Sequence, residues 1–339
     1  MSEARPKLTV CVLAYNHAAF IAQALDSILM QETPFDFEVL VGEDESSDGT
    51  REIVEDYASR HPGKLQILRG KRSEAIRIMG ITTGRRNLVN LLARANGEFV
   101  ALLEGDDYWT DKTKLARQVA HLEAHPDAVL CFHPVDVRRE EGDTFSMESQ
   151  RVVADGERFR LEDLLSGRIV FHLNSVVFRN VTETLPAWFL TTLTGDFPLF
   201  AILGGHGDFL RLPEVMSHYR IHEGGIFSIG GRTRTFHERK EHKIRQLAGT
   251  IDHYEKIDVH FGKKFRKVIH RKLAETCLDL AWEHRQMNQW QNIHPLLFKA
   301  WQLDVRLVYS HAPFFFKMLA LSMIPILRRD FQAETSPQQ

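Results

Sequence analysis

The 339-residue sequence predicts an α/β fold with a mixed, mostly parallel sheet flanked by helices and a helical appendage at its carboxyl end. Three observations carry that prediction. Short apolar runs alternate with stretches of helical spacing from Leu8 to about His133, the pattern of βα units. One of these runs, within GEFVALLEGDDYW, ends abruptly in Glu104, Asp106 and Asp107. Beyond Arg239, turn residues become scarce and helical spacing dominates to about Tyr309.

The elements follow in order. Leu8 to Ala14 is almost wholly apolar, which suits a strand covered on both faces. Tyr15-Asn16-His17 is a polar loop, and Ile21, Ala24, Leu25 and Ile28 then fall at helical spacing. Phe37 to Val41 returns to a strand pattern. Ser46-Ser47-Asp48-Gly49-Thr50 supplies turn and capping residues before a helix marked by Ile53, Val54 and Tyr57. Pro62-Gly63 punctuates the chain before a strand at Leu65 to Leu68. A helix from about Arg86 to Ala95 stops at Asn96-Gly97 and leads into the strand Phe99 to Leu103. Leu115, Val119 and Leu122 mark a helix ending at His125-Pro126, and Val129 to His133 is a further strand. Arg138 to Arg160 is charged and aperiodic, so it reads as an exposed, mobile excursion. Val170 to Arg179 and Glu214 to Ile221 look strand-like, with a helix near Phe197 to Leu203 between them. The expected domains are 1–235 and a helical region 236–339.

Composition narrows the function. With 43% hydrophobic and 26% charged residues the chain can bury a substantial core. A net charge of −2 gives no global attraction to nucleic acid, and no recognition motif is present, so a nucleic-acid partner is not expected. Cys11, Cys131 and Cys277 lack the spacing of a zinc site or a disulfide framework, which favours a reducing compartment. The opening MSEARPKLTV lacks the order of a signal segment, and no apolar run reaches the ~18 residues of a membrane span. The expected location is the cytoplasm. Near the end, PFFFKMLALSMIPIL (313–327) followed by Arg328-Arg329 could lie at the inner face of a membrane through 313–329, pack on the rest of the chain, or form a homodimer contact.

The acids at the end of the Phe99 run say most about chemistry. Carboxylates two residues apart on extended chain point the same way, which suits a hard divalent cation that also binds phosphate oxygens. The alternative is a solvated turn.

Several separated segments together resemble family 2 glycosyltransferases, the inverting enzymes of the GT-A fold that move a sugar from a nucleotide diphosphate sugar to an acceptor hydroxyl. The resemblance runs from about Leu8 to Ser228. LTVCVLAYNHAAFIAQALDSILMQ looks like the family's first strand, nucleotide loop and first helix, and GEDESSDGT is similar to its second acidic motif. It implies that Ala14, Tyr15 and Asn16 line the base and ribose pocket and that Asp44 bonds the base or ribose, with Glu43 and Glu45 only flanking. Arg86 and Asn87 fall at an Arg-Asn pair near the diphosphate; a solvated Arg at a helix start would look the same. Glu104-Gly105-Asp106 aligns with the DXD motif, Glu replacing the first Asp. Asp106 is the expected metal ligand, and Glu104 would reach the ribose or a metal-bound water. His222, in Tyr219-Arg220-Ile221-His222, is similar to a YRxH segment that supplies a metal ligand. Gly224 and Gly225 would let the adjoining loop close over the donor, or form a plain turn.

The implied cofactor is Mn2+ or Mg2+, an imidazole ligand tilting the choice toward manganese. Asp196 resembles the acid that opens a helix below the acceptor site, and is the expected catalytic base; it could instead simply cap that helix. Asp208 is the fallback. His172, Asn174 and Ser175 sit beside the expected acceptor cleft, and Trp109 either walls a sugar or packs under the metal loop. The implied donor is a UDP- or dTDP-type sugar, and the implied acceptor a carbohydrate or glycolipid in surface polysaccharide or glycolipid synthesis. Two other readings are a sugar nucleotidyltransferase and a non-catalytic nucleotide-sugar-binding scaffold. The first would want a Gly-rich basic phosphate loop where Ala14-Tyr15-Asn16-His17 stands.

Overall fold

The computed structural model describes residues 5–141, 144–149, 156–182, 185–222, 225 and 235–323. It divides into two compact units, Met1–Gly231 and Arg232–Gln339.

The first unit begins with β1 (Leu8–Ala14), α1 (Ile21–Leu29), β2 (Phe37–Glu43), α2 (Thr50–Arg60) and β3 (Leu65–Arg69). A short hairpin, β4 (Arg77–Ile78) and β5 (Ile81–Thr82), precedes α3 (Arg85–Arg94), β6 (Phe99–Glu104), β7 (Tyr108–Trp109), α4 (Lys114–Glu123) and β8 (Ala128–Phe132). The chain continues through β9 (Asp136–Glu141), β10 (Thr144–Ser149), β11 (Arg158–Phe159), α5 (Leu161–Leu165), β12 (Val177–Arg179), α6 (Asp196–Leu203), β13 (Asp208–Arg211) and β14 (Ser217–Ile221).

Eight strands form the main sheet in the order β11-β13-β8-β12-β6-β1-β2-β3. β3, β2, β1 and β6 run parallel; β12 is inserted antiparallel between β6 and β8. Six of the seven residues of β1 are buried and β8 is buried throughout, which is why these strands read as unbroken apolar runs. The α1 stripe Ile21, Ala24, Leu25 and Ile28 packs against Val10, Val12, Phe99, Ala101 and Leu103 in one core. Register then fixes the site: Leu13 pairs with both Gly42 and Glu104, and Ala14 with Glu43. The last residues of three strands therefore stand in one row at the carboxyl edge of the sheet, where ligands of open α/β sheets bind.

Three parts differ from the expectation. The charged stretch after Arg138 is not simply an excursion: β9 and β10 form an antiparallel hairpin that joins β14 and β7 in a second, four-stranded sheet. Its partners are distant in sequence and its residues carry no apolar alternation, so local patterning does not reveal it. Residues 142–143 and 150–155 of that stretch lie outside the described residues. The expected strand at Val170 to Arg179 is a 3-10 turn, Leu173–Ser175, followed by the short β12. β13, absent from the sequence reading, lies parallel to β8.

The second unit is helical: α7 (Phe236–His260), α8 (Arg266–Gln286), α9 (Ile293–Leu303), α10 (Val305–Ser310) and α11 (Ala312–Met323). Thr235 and Glu238 close a reciprocal capping box at the start of α7. Ile257, Ile269, Leu273, Cys277, Ile293 and Leu297 are buried. Among the described residues no helix is long and apolar enough to cross a membrane. Residues 324–329 of the apolar terminal segment, and Gly224, lie outside the described residues.

Candidate active site

The β1–α1 loop is shaped by the segment that follows β2. Asn16 takes a left-handed conformation (φ 53°), and its N–H donates to Ser46 Oγ at 3.0 Å. Ser47 N–H donates in return to Asn16 Oδ1 at 2.9 Å. The N–H groups of His17 and Ala18 donate to Thr50 Oγ1 at 2.7 Å and Asp48 Oδ2 at 2.9 Å. Beneath them Glu43, fully buried, accepts from Ser46 N–H at 2.6 Å and pairs with Arg51 at 2.8 Å. Burial raises the Glu43 pKa, but the Ser46 and Arg51 contacts outweigh it and hold the carboxyl below its ordinary range. Asn16 and Glu43 thus brace the loop, leaving Tyr15 at its edge.

Asp44 continues β2, its N–H donating to Ala14 O at 3.0 Å. Arg72 Nη1 donates to Asp44 Oδ2 at 2.5 Å, and the same guanidinium lies 3.7 Å from the centroid of the Tyr15 ring. Burial leaves the Asp44 carboxyl raised despite the opposing pull of Arg72. An aromatic face, a guanidinium and a carboxylate therefore meet at one corner, a combination suited to a nucleobase. Arg72 was missed from sequence because it sits in an irregular stretch after β3.

One strand further along the row, β6 ends at Glu104. Gly105 N–H donates to Leu13 O at 2.8 Å, turning the chain sharply. A Cβ at Gly105 would stand 2.8 Å from His17 Nδ1 and from Ile21 Cδ1, so only glycine fits. Asp106 Oδ2 is 3.1 Å from His222 Nε2 and 3.8 Å from His17 Nε2. Burial raises the Asp106 carboxyl, yet the hydrogen bond from His222 and the charges of both imidazoles outweigh it and leave it lowered. Burial, then Asp106 and Asp196, push Glu104 up to about 8. Among the described residues no group of three or more His, Cys, Asp or Glu is placed to hold a metal ion by itself. An ionised Asp106 beside the exchangeable nitrogen of His222 fits a cation that takes its remaining ligands from phosphate and water. His17, whose buried Nδ1 has no hydrogen-bond partner among the described residues, stands beside Asp106, although the sequence marks it only as loop.

The neighbouring Asp107 has another job. Its Oδ1 accepts from Arg220 N–H at 2.8 Å and its Oδ2 from Asn174 Nδ2 at 2.8 Å. Ser217 Oγ and Asn174 Oδ1 are 3.1 Å apart, and Trp109 Nε1 donates to Asn174 O at 2.9 Å. This buried network bolts β7, the 3-10 turn and β14 together. Asn174 and Ser175 are therefore structural, a correction to their placement at the acceptor cleft, and of its two expected roles Trp109 takes the packing one: none is more than 1% exposed. His172 does reach the cleft side, half-buried and stacked on Tyr219 with centroids 4.5 Å apart.

Asp196 is the first residue of α6 and half-buried. Its charge bears on Arg85, Glu104, His172 and Tyr219. Arg86 is exposed, whereas Arg85, one residue earlier, is buried beside Gly195. The α3 stripe Leu88, Leu91 and Leu92 explains this: one turn back from Leu88 is Arg85. Asn87 is buried and donates to Gly42 O at 2.7 Å, fixing α3 to β2 rather than facing a diphosphate. Asp208 pairs with Arg158 at 2.7 Å, at the start of β13 and level with the start of β8. That is the opposite end of the sheet, which removes Asp208 as fallback base.

Polar groups gathered at the carboxyl edge of such a sheet suit a nucleotide-dependent enzyme. The family profile described as Glycosyl transferase family 2 matches residues 9–185, and the chain belongs to that family. It is 32% identical over 286 residues to the uncharacterized protein Rv1520 of Mycobacterium tuberculosis, covering 83% of this chain and 75% of that one. Among solved structures it is similar to the mannosyltransferase PcManGT of Pyrobaculum calidifontis, in complex with GDP-Man and Mn2+. There the TM-score is 0.55 at 19% identity, covering 94% of this chain and 85% of that one. It is also similar to residues 1–349 of Staphylococcus aureus TarS in complex with UDP, with TM-score 0.54 at 14% identity and coverage of 98% and 93%. Over 125 residues the identity to full-length TarS, a poly(ribitol-phosphate) β-N-acetylglucosaminyltransferase, is 35%, covering 37% of this chain and 20% of that one.

Proposed function

We propose that this glycosyltransferase is inverting and metal-dependent, using a UDP- or dTDP-type sugar and an acceptor hydroxyl on a surface polysaccharide or glycolipid. The observation that carries the reading is the Asp106–His222 contact of 3.1 Å beside Glu104, on the strand edge that also presents Asp44, Arg72 and Tyr15.

In this reading Tyr15 and Arg72 receive the base and Asp44 orients it. Asp106 and His222 would hold Mn2+ or Mg2+, which when bound stabilises the charge developing on the leaving diphosphate. Asp196 accepts the proton of the acceptor hydroxyl as its oxygen attacks the anomeric carbon from the face opposite the diphosphate. The bond from that carbon to the acceptor oxygen forms while its bond to the phosphate oxygen breaks. The nucleoside diphosphate leaves with the electron pair, and the anomeric configuration inverts. Asp196→Asn should lower kcat by about 10²–10⁴-fold with nucleotide affinity unchanged. Retained turnover would remove Asp196 as base, and a product with retained configuration would remove the single displacement.

The setting is supported by the similarity to TarS, a poly(ribitol-phosphate) β-N-acetylglucosaminyltransferase, and by exposed Phe316 on the apolar α11. Cytoplasmic placement, inner-face contact through 313–329 and a homodimer there belong to the proposal. Flotation with anionic vesicles separates the membrane from the dimer, since a dimer contact would leave the protein unbound.

A further inference from the structure

Arg85 combines burial with unused hydrogen-bonding capacity. It is 3% exposed, and its Nε and Nη1 have no hydrogen-bond partner among the described residues. Its Nη2 donates to Thr192 O at 3.0 Å, and its guanidinium carbon lies 4.5 Å from the centroid of the Phe189 ring. A Cβ at position 195 would stand 2.8 Å from Nη1 and 3.2 Å from the guanidinium carbon, so the guanidinium fills the space that Gly195 leaves open. A buried cation is costly without a counter-charge. The neighbouring Asp196 supplies it, opposing the burial that lowers the Arg85 pKa to about 10.

Among the described residues, the charge of Asp196 bears on Arg85 from α3, Glu104 from β6, His172 from the turn before β12, and Tyr219 from β14. Of these only Arg85 carries a fixed positive charge, and Glu104 is itself a carboxyl. We infer that Arg85 is the positioning residue of the base: seated against Gly195 and tied to Thr192, it braces the turn into α6 and holds the Asp196 carboxylate toward the cleft. This rests on the reading of Asp196 as base. In this role Arg85 acts on the reaction through Asp196 and not on the donor.

The test is a double-mutant cycle on Arg85→Gln and Asp196→Asn, reading release of nucleoside diphosphate from UDP-glucose, UDP-N-acetylglucosamine, dTDP-glucose and GDP-mannose with Mn2+ and water as acceptor. Arg85→Gln should lower kcat by about 10–100-fold, the cost of a displacement near 1 Å, with donor KM within about twofold. Arg85→Lys should recover part of it. In the Asp196→Asn background Arg85→Gln should cost less than about twofold. An equal loss in both backgrounds, or a raised KM with kcat intact, overturns the inference while leaving the base in place. Turnover retained by Asp196→Asn alone removes the base, and the positioning role falls with it. Independently of turnover, amide exchange across 192–199 should quicken in Arg85→Gln; unchanged exchange there also overturns the inference.

Discussion

The nucleotide side of the site, residues 14–72, and its far side, residues 172–222, use the same polar residue types in different ways. On the nucleotide side, bracing and binding groups are separate. Ser46, Asp48, Thr50 and Glu43 are occupied with loop N–H groups, which leaves Tyr15, Asp44 and Arg72 to present a surface. On the far side, side chains that look ready for a ligand are saturated by one another: Asp107, Asn174 and Ser217 form a closed buried set. The adjacent acids Asp106 and Asp107 show the difference within one turn. Among the described residues Asp106 meets two imidazoles, which can exchange a proton or a ligand, whereas Asp107 meets a backbone N–H and an amide, which cannot. An acid serves chemistry where its partners can be displaced, and serves the fold where they cannot.

The largest effect that would break this contrast lies at Asp107. Asp107→Ala removes the buried acceptor of Arg220 N–H and of one N–H of the Asn174 amide, and should destabilise the protein by about 2–4 kcal/mol. Asp106→Asn should leave the melting temperature nearly unchanged. Comparable melting of both variants by calorimetry would erase the distinction.

Next in size is the nucleobase corner. Arg72→Ala removes a hydrogen bond to Asp44 and the stack on Tyr15, and should weaken nucleotide binding about tenfold, near 1.4 kcal/mol. Unaltered affinity would move the base elsewhere.

The smallest effect concerns the brace. The Glu43 carboxyl is held below its ordinary range when folded, so its stabilisation is complete above the unfolded-state value and is lost as pH falls through the folded one. Glu43→Gln should cost about 1 kcal/mol at pH 7 and shrink toward zero in acid. A difference that is constant with pH, measured by urea titration at several pH values, would contradict it.

How much of this the sequence discloses follows from distance along the chain. Leu8–Ala14 and Phe99–Glu104 are strands buried on the sheet, so burial itself writes their apolar runs. Motif residues of the nucleotide loop brace one another across about thirty positions, within one βαβ unit, and are legible together. The Asp107–Asn174 bond spans 67 positions and the Asn174–Ser217 contact 43, and nothing local marks either. Arg85 was within reach: extending the Leu88 stripe by one turn selects it over Arg86. Arg72 and His17 were not, because irregular backbone places them and no periodicity governs it.

The central claim is that Asp106 anchors a cation-dependent donor site. Calorimetric titration of UDP, dTDP and GDP, with and without Mn2+, into the wild type and Asp106→Ala tests it most directly. One nucleotide should bind tightly, only with Mn2+ present, and not to the variant. Binding of none, or binding indifferent to both Mn2+ and Asp106, would contradict it.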